Sequence, residues 1–380
     1  MCAVLVLASR HTARAAGVVG TGTAASCTDA ALNAVLAGGG LVTFNCGGPA
    51  TINISTGTGT KTISADTTVD GGGLITISGG DSVRVFSVPV SVQFTVHNLR
   101  IAAGHSENGG GILNNGGGAL TVTNSTFTSN SAGAGGAILG LRGSVIVTNS
   151  TFTDNSADTG GGIVSSTLTV TSSTFTGNSG GGISSGASGS AALRNTLLAN
   201  SPSGGNCIGS IDDGGHNLDD GTSCGFSTAR GSLSGTNPQL DPVGPQNNGG
   251  PTQTVALCTG AGMPAGCTAA SPAIDAGDQA VCAAAPVNNL DQRGFVRPGT
   301  GHAKCSIGAY EADATGPEAC TGDCDGTRSV TVDELITLGN IALGNAQASA
   351  CPRGVPSGAE VDIALIIQAV NNALTGCGGS

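Results

Sequence analysis

Between residues 94 and 200 apolar residues return in a fixed cadence, separated by threonine, serine and asparagine. The stretch Leu120-Thr-Val-Thr-Asn-Ser-Thr-Phe-Thr-Ser-Asn130 is answered by Val145-Ile-Val-Thr-Asn-Ser-Thr-Phe-Thr-Asp-Asn155 and by Leu168-Thr-Val-Thr-Ser-Ser-Thr-Phe-Thr-Gly-Asn178. Weaker copies span 94–104 and 190–200, so Ile101, Phe127, Phe152, Phe175 and Leu197 align at steps of 26, 25, 23 and 22 residues. A period in this range marks stacked units, each too small to bury an apolar face alone. Within a unit the alternation is that of strands. Leu120 and Val122 share one parity, which an extended chain sends to one face. Phe127 follows Val122 by five residues, and the same gap separates Val96 from Ile101, Val147 from Phe152 and Val170 from Phe175. The parity therefore breaks at a corner inside each gap.

Asn98, Asn124 and Asn149 stand in that gap, with Ser172 and Arg194 as later members of the row. Asparagine tolerates the left-handed backbone a tight corner needs. A second row, Asn130, Asn155, Asn178 and Asn200, lies three residues after each anchor, and glycine runs precede Ile112, Ile138, Ile163 and Ile183. Glycine bends there without steric cost. Three short strands per turn, with corners at asparagine and glycine, predict an all-β fold: a parallel β-helix (β-solenoid) whose Phe, Val/Leu and Ile ladders fill the lumen. The asparagine rows read as hydrogen-bond ladders at the corners. The Asn-Ser-Thr triplets at 124 and 149 also fit a glycosylation sequon, but their place in a repeat corner accounts for them.

Residues 1–15 read as a signal-peptide remnant: an apolar run from Cys2 to Ala8, then Ala13-Arg14-Ala15 as a cleavage site. Residues 16–40 read as a leader and a capping helix from Thr28 to Leu36, with Thr28 or Ser26 as N-cap and Gly38 to Gly40 as the stop. Such a helix covers the exposed end of a solenoid. The β-helix with its C-terminal cap takes residues 41–312, less regular before 101 and aperiodic after 200. Residues 313–316 form a linker. In 317–380 the spacing becomes helical, with Leu335, Ile336, Leu338 and Ile341 in one stretch and Ile363, Ile366, Ile367 and Val370 in another.

Composition sharpens this picture. The chain has 380 residues, with 66 Gly, one Tyr and no Trp; charged residues are 10% and the net charge is −11. Lysines and arginines are scattered, which argues against nucleic acid and anionic membranes as partners. No segment is apolar for long enough to span a membrane as a helix. Of 13 cysteines, cleavage after Ala15 would remove Cys2 and leave an even number, as an oxidising compartment favours. Proximity in sequence suggests Cys27 with Cys46, Cys207 with Cys224, Cys258 with Cys267 and Cys282 with Cys305. Cys320, Cys324, Cys351 and Cys377 would pair among themselves; zinc is the rival reading of that set.

Asp323-Cys-Asp325-Gly-Thr327-Arg-Ser329-Val-Thr331-Val-Asp333-Glu334 precedes the first helical stretch. Side-chain oxygens from Asp323, Asp325, Thr327 and Thr331, the carbonyl of Ser329 and both oxygens of Glu334 make a donor set for one Ca²⁺. Arg328 stands where such a loop has glycine and Thr327 where an acid is usual, so affinity should be weak. The alternative is an acidic helix N-terminus without metal. The matching stretch 354–365 lacks the acids and should bind none.

Three resemblances rest on these residues. The Gly-Gly-Gly-Ile and Asn-Ser-Thr-Phe-Thr-x-Asn-Ser repeats resemble right-handed parallel β-helix proteins of bacterial surfaces, including the polymorphic outer-membrane type. Ser271-Pro-Ala-Ile-Asp-Ala-Gly-Asp278, Asp291-Gln-Arg-Gly294 and Ser306-Ile-Gly-Ala-Tyr-Glu311 resemble the closing signature of the choice-of-anchor Q domain. Residues 317–380 are similar to dockerin-like modules with EF-hand-like loops. The resemblance implies a secreted or cell-surface protein, often near polysaccharide, with a cohesin-like protein as a further partner.

Such folds also host polysaccharide lyases and glycoside hydrolases, which need convergent carboxylates on neighbouring coils. Asp154 aligns with Ser129 and Gly177, and Asp158 with Gly133 and Gly181, so neither acid has an acidic neighbour. Asp275, Asp278, Asp291 and Arg293 form the densest polar group and read as buried hydrogen-bonding pairs. The Thr pairs flanking Phe127, Phe152 and Phe175 are expected to face outward, as on ice-binding solenoids or any exposed strand. The leading expectation is a non-catalytic adhesion, display or matrix-associated protein without catalytic residues. The alternatives are a lyase or hydrolase carrying a dockerin-like module, and a structural or ice-binding solenoid.

Overall fold

Leu120, Val122 and Phe127 are fully buried because each stacks on its counterpart one coil away. Leu120 pairs with Val145, Val122 with Val147 and Phe127 with Phe152, all in parallel register. The computed structural model describes residues 17–375, apart from 187–188, 317–319, 325–329, 352–353 and 356–358. It is a parallel β-solenoid of about eight turns. Phe127, Phe152 and Phe175 stack with ring centroids 4.7 and 4.6 Å apart and planes within 5°, close to the spacing of hydrogen-bonded strands.

A regular turn holds four strand segments, not the three expected. Leu120–Thr123, Thr126–Thr128, Ser131–Ala134 and Ile138–Gly140 make one turn. The extra strand pairs with His105–Asn108 and Ser156–Thr159 in a polar sheet of its own. Its small and polar side chains carry no apolar alternation, so the periodicity does not reveal it.

The first corner row has left-handed backbone at Asn98, Asn124, Asn149, Ser172 and Asn195, with φ from 45° to 50°. Its last member is therefore Asn195; Arg194 pairs with Thr171 in the preceding strand. The same one-residue shift moves the final apolar anchor. Phe175 pairs with Leu198, while Leu197 pairs with Thr174. Two adjacent leucines left the parity ambiguous. Leu198 joins the lumen core and Leu197 lies outside it, in a second apolar cluster with Leu257, Ala273 and Ile307. Asn200 likewise leaves the ladder row. Its left-handed φ of 57° matches Ser129 and Asp154 instead.

The remaining ladder is continuous. Asn130 Nδ2 donates to Asn155 Oδ1 at 2.9 Å, and Asn155 Nδ2 to Asn178 Oδ1 at 3.0 Å. Each of the three amides also donates to the carbonyl of Ile101, Phe127 or Phe152. All three side chains are fully buried, and the ladder satisfies the polar groups that burial would otherwise penalise.

At the N-terminal end Gly17–Val19, part of the expected leader, already pairs in parallel with Val42–Phe44. Helix α1, Asp29–Leu36, starts at Thr28, whose side chain accepts from Ala31 N, and buries Leu32 and Leu36 against the core.

Residues beyond 236 do not simply continue the stack. They return along the outside of the Phe strands and cover the Thr pairs. Thr126, Thr128, Thr151, Thr153, Thr174 and Thr176 all point away from the lumen, yet none is more than 7% exposed. The outward array expected from the sequence is thus an interior surface. Gln292 explains much of it: its Oε1 accepts from Thr151 Oγ1 at 2.6 Å, and its Nε2 donates to Thr126 Oγ1 at 2.9 Å and Thr252 Oγ1 at 2.7 Å. Ala309 N donates to Thr174 Oγ1, Asn149 Nδ2 to Leu290 O, and Asn195 exchanges bonds with Asp278. Helix α2, Gln279–Ala283, belongs to this wrap. Helices α3, Val332–Ala342, and α4, Ile363–Thr375, follow it and share a small core around Leu338, Leu365 and Ala369.

Cys27–Cys46, Cys207–Cys224, Cys258–Cys267 and Cys282–Cys305 are bonded as expected from their proximity, and Cys324 is bonded to Cys351. Cys320 is also disulfide-bonded; Cys2 and Cys377 lie outside the described residues. Among the described residues no helix is long and apolar enough to cross a membrane.

Candidate functional site

The calcium expectation falls on the turn into α3. Thr331 is its N-cap, and Glu334, three residues on, closes a reciprocal capping box. Glu334 Oε2 accepts from Thr331 N at 2.7 Å and from Thr331 Oγ1 at 2.9 Å, while Oε1 accepts from Cys324 N at 2.8 Å. Asp323 and Glu334 are only 4% and 7% exposed. The Cys324–Cys351 disulfide holds the loop's first turn to the segment between the helices. Asp325, Thr327 and Ser329 lie outside the described residues. Asp323, Thr331 and Glu334 supply hard oxygen donors beside a helix N-terminus, the chemistry a calcium loop requires. Among the described residues no three His, Cys, Asp or Glu side chains gather as a metal-binding group.

The helices beyond this turn are apolar on the outside as well as the inside. Val332 and Ile336 on α3 and Leu343 at its C-cap are 56–76% exposed, and Ile363, Ile367 and Leu374 on α4 57–79%. Core residues of the same helices face each other across the pair. A helix apolar on two sides has one face left for something else to cover.

The polar group of the wrap divides. Asp291 and Arg293 form a buried ion pair at 2.7 Å, with the guanidinium stacked between Phe295 and Tyr310 at 4.1 and 3.7 Å. Asp278 caps α2. Asp275 departs from the expected burial, with its side chain 43% exposed. Two arrangements escaped the sequence reading. Arg297 and Glu311 form a second, fully buried pair at 3.2 Å, in which Arg297 also donates to Ser306 O and Gly308 O. A buried Arg–Glu pair leaves no periodic trace in the sequence. His302 bridges Asp275 Oδ2 at 3.0 Å and Asp313 Oδ2 at 3.1 Å. The Asp275 bond and then the Asp313 bond raise its pKa above the ordinary histidine value. Backbone N–H groups of Lys304 and Ala303 together with His302 hold the Asp275 carboxyl below its ordinary value.

Asp154 stands at the rim of a groove of about 520 Å³ between solenoid and wrap, with Thr176, Asn200, Gln239 and Asp241 among the lining residues. Asp154 Oδ2 accepts from Thr153 Oγ1 at 2.9 Å. Asp241 turns its oxygens to Val243 N and Gln246 Nε2 of its own loop. Both carboxylates thus have structural partners, and the groove is polar without an aromatic wall. No family model, no curated protein and no solved structure matches this chain.

Proposed function

We propose that this chain is a secreted, non-catalytic right-handed β-helix that associates with extracellular polysaccharide or a cell-surface component. Its closing segment has the choice-of-anchor Q signature, and 317–380 is a dockerin-like module holding one weakly bound Ca²⁺ at Asp323, Asp325, Thr327, Ser329, Thr331 and Glu334. In this reading α1 closes the N-terminal end of the lumen. Disulfides throughout the chain fit an oxidising, extracellular setting. The observation that carries the reading is the exposed apolar side of α3 and α4, beside a turn rich in carboxylate and hydroxyl oxygens. A cohesin-like module is the partner that such a surface suits.

Calcium titration of the full chain by calorimetry, followed by binding to immobilised cohesin modules and insoluble polysaccharides, tests it. Weak calcium binding lost in Glu334→Ala, and cohesin binding lost in Ile363→Asp, are expected. Binding to no partner, with calcium heat unaltered by Glu334→Ala, would overturn it. The second reading is a polysaccharide lyase or glycoside hydrolase acting in the groove that Asp154 lines. Turnover of polygalacturonate, alginate or xylan, abolished by Asp154→Ala, would establish that reading instead.

A further inference from the structure

The exposed apolar residues of α4 fall on one line. Ile363, Ile367, Val370 and Leu374 are 78%, 57%, 37% and 79% exposed, and they stand four, three and four residues apart. That spacing is the seam of a coiled coil, in which an apolar side chain returns to the same side about every 3.5 residues. Leu365 and Ala369, which pack inside the helix pair, belong to the opposite side of α4. The seam is therefore not what holds α4 in place.

Helix α3 repeats the spacing with Val332, Ile336, Gly339 and, at its C-cap, Leu343. A Cβ at Gly339 would meet nothing of the rest of the chain within 4 Å, so the third place of that line is open. Of the two helices α4 alone presents a continuous line. It is also without charge: Ile363–Thr375 contains no Asp, Glu, Lys or Arg. On a chain of net charge −11, charged surface repels a second copy. Along α4 two copies meet no like-charge penalty. The exposed residues that flank the line on either side include Ala364 and Ala373, short enough for another helix to approach closely.

We propose that two copies of this chain pair through α4, antiparallel, about a two-fold axis that passes between residues 368 and 369. A line spaced four, three and four reads the same in both directions. The axis therefore sets Ile363 of one copy against Leu374 of the other, and Ile367 against Val370. Such a contact is self-complementary and closes at two copies. Antiparallel order also sets the two helix dipoles head to tail. The occupant that this spacing suits is a helix with the same spacing, and a second α4 is one. The proposal rests on the reading above in placing docking on these helices: self-pairing and docking on α4 exclude each other.

The size of the seam sets its strength. Thirteen residues make a helix about 20 Å long. Four aliphatic side chains per copy over that length cover less than the roughly 800 Å² per partner of a standard stable interface. The dimer is weak and concentration-dependent, with a dissociation constant on the order of 10⁻⁵ M. A contact of that strength gives way to a tighter partner.

Sedimentation equilibrium of the full chain, with no other protein present, tests the pairing apart from cohesin binding. A reversible monomer–dimer equilibrium is expected between about 10⁻⁶ and 10⁻⁴ M. Ile363→Glu alone and Leu374→Lys alone each set an unpaired charge against an apolar side chain, and each should weaken the dimer by about tenfold or more. Both positions are exposed, so each variant should keep its melting temperature, which circular dichroism checks. The double variant I363E/L374K places opposite charges across the axis twice and should dimerise better than either single variant. A chain that stays monomeric at about 10⁻⁴ M, or single variants that dimerise like the original, would overturn the proposal. So would a double variant no better than the singles, the result that a parallel seam or nonspecific apolar association gives. Dimerisation as expected, with no cohesin bound by the chain, would leave the seam standing and remove only the docking reading.

Discussion

Phe152 lies between two like rings, each closer than 5 Å by centroid and nearly coplanar. It contributes through burial and dispersion, and neighbouring coils cannot close over the space it fills. Phe152→Ala should cost about 3–5 kcal/mol in denaturant unfolding; a loss within experimental error would contradict its place in the lumen. His302 makes the opposite kind of contribution, set by charge. Hydrogen bonds to Asp275, then Asp313, raise its folded-state pKa. A raised pKa stabilises the folded chain fully below the unfolded histidine value of about 6.5, and the benefit is lost as pH rises through the folded value. NMR titration should therefore place His302 above an ordinary histidine, and Asp313→Asn should bring it down. Titration at or below the ordinary value would show that the bridge is not formed in solution.

At the scale of elements, one inward column runs the length of the solenoid: Lys61, Phe86, Ile112, Ile138, Ile163, Ile183, Cys207. Its two ends depart from apolar character for different reasons. Cys207 ends it in a disulfide. Lys61, 1% exposed, begins it, and its ammonium pairs with Asp29 in the first turn of α1 and with Thr58 Oγ1. The pair ties α1 to the first coil. Removing one partner from such a buried pair strands a charge, so Asp29→Ala should cost about 3–5 kcal/mol, whereas Lys61→Met with Asp29→Leu should be near neutral or stabilising. Equal losses in both variants, measured by urea unfolding, would count against an ion pair that fixes the helix rather than the stability.

For the whole molecule, the decisive feature is the wrap. A solenoid alone would present its Thr pairs to water; here they hydrogen-bond a segment up to 166 residues away in sequence. Gln292 joins both parts, so Gln292→Ala strands the buried Thr151 hydroxyl, while Thr126 and Thr252 keep their donations to Gln253 O and Asn124 O. The expected cost is about 1–3 kcal/mol, with faster amide exchange at 250–254 and 289–293 and little change at 120–178. Uniform acceleration over both regions would mean that wrap and solenoid unfold only as one unit.

The repeat, its register through three coils, four disulfides and the helices near either end were legible in the sequence. Each is local or periodic, and a ladder that repeats announces itself in one chain. The slip to Leu198 and Asn195 was not legible, because two adjacent leucines satisfy either parity and only packing under the wrap separates them. The fourth strand escaped because Ser131-Ala-Gly-Ala134 has no apolar side to reveal. At the candidate sites, spacing along the chain pointed to the turn at α3. The Arg297–Glu311 pair and the His302 bridge occur once each. They join residues that periodicity does not relate, and tertiary structure alone brought them together.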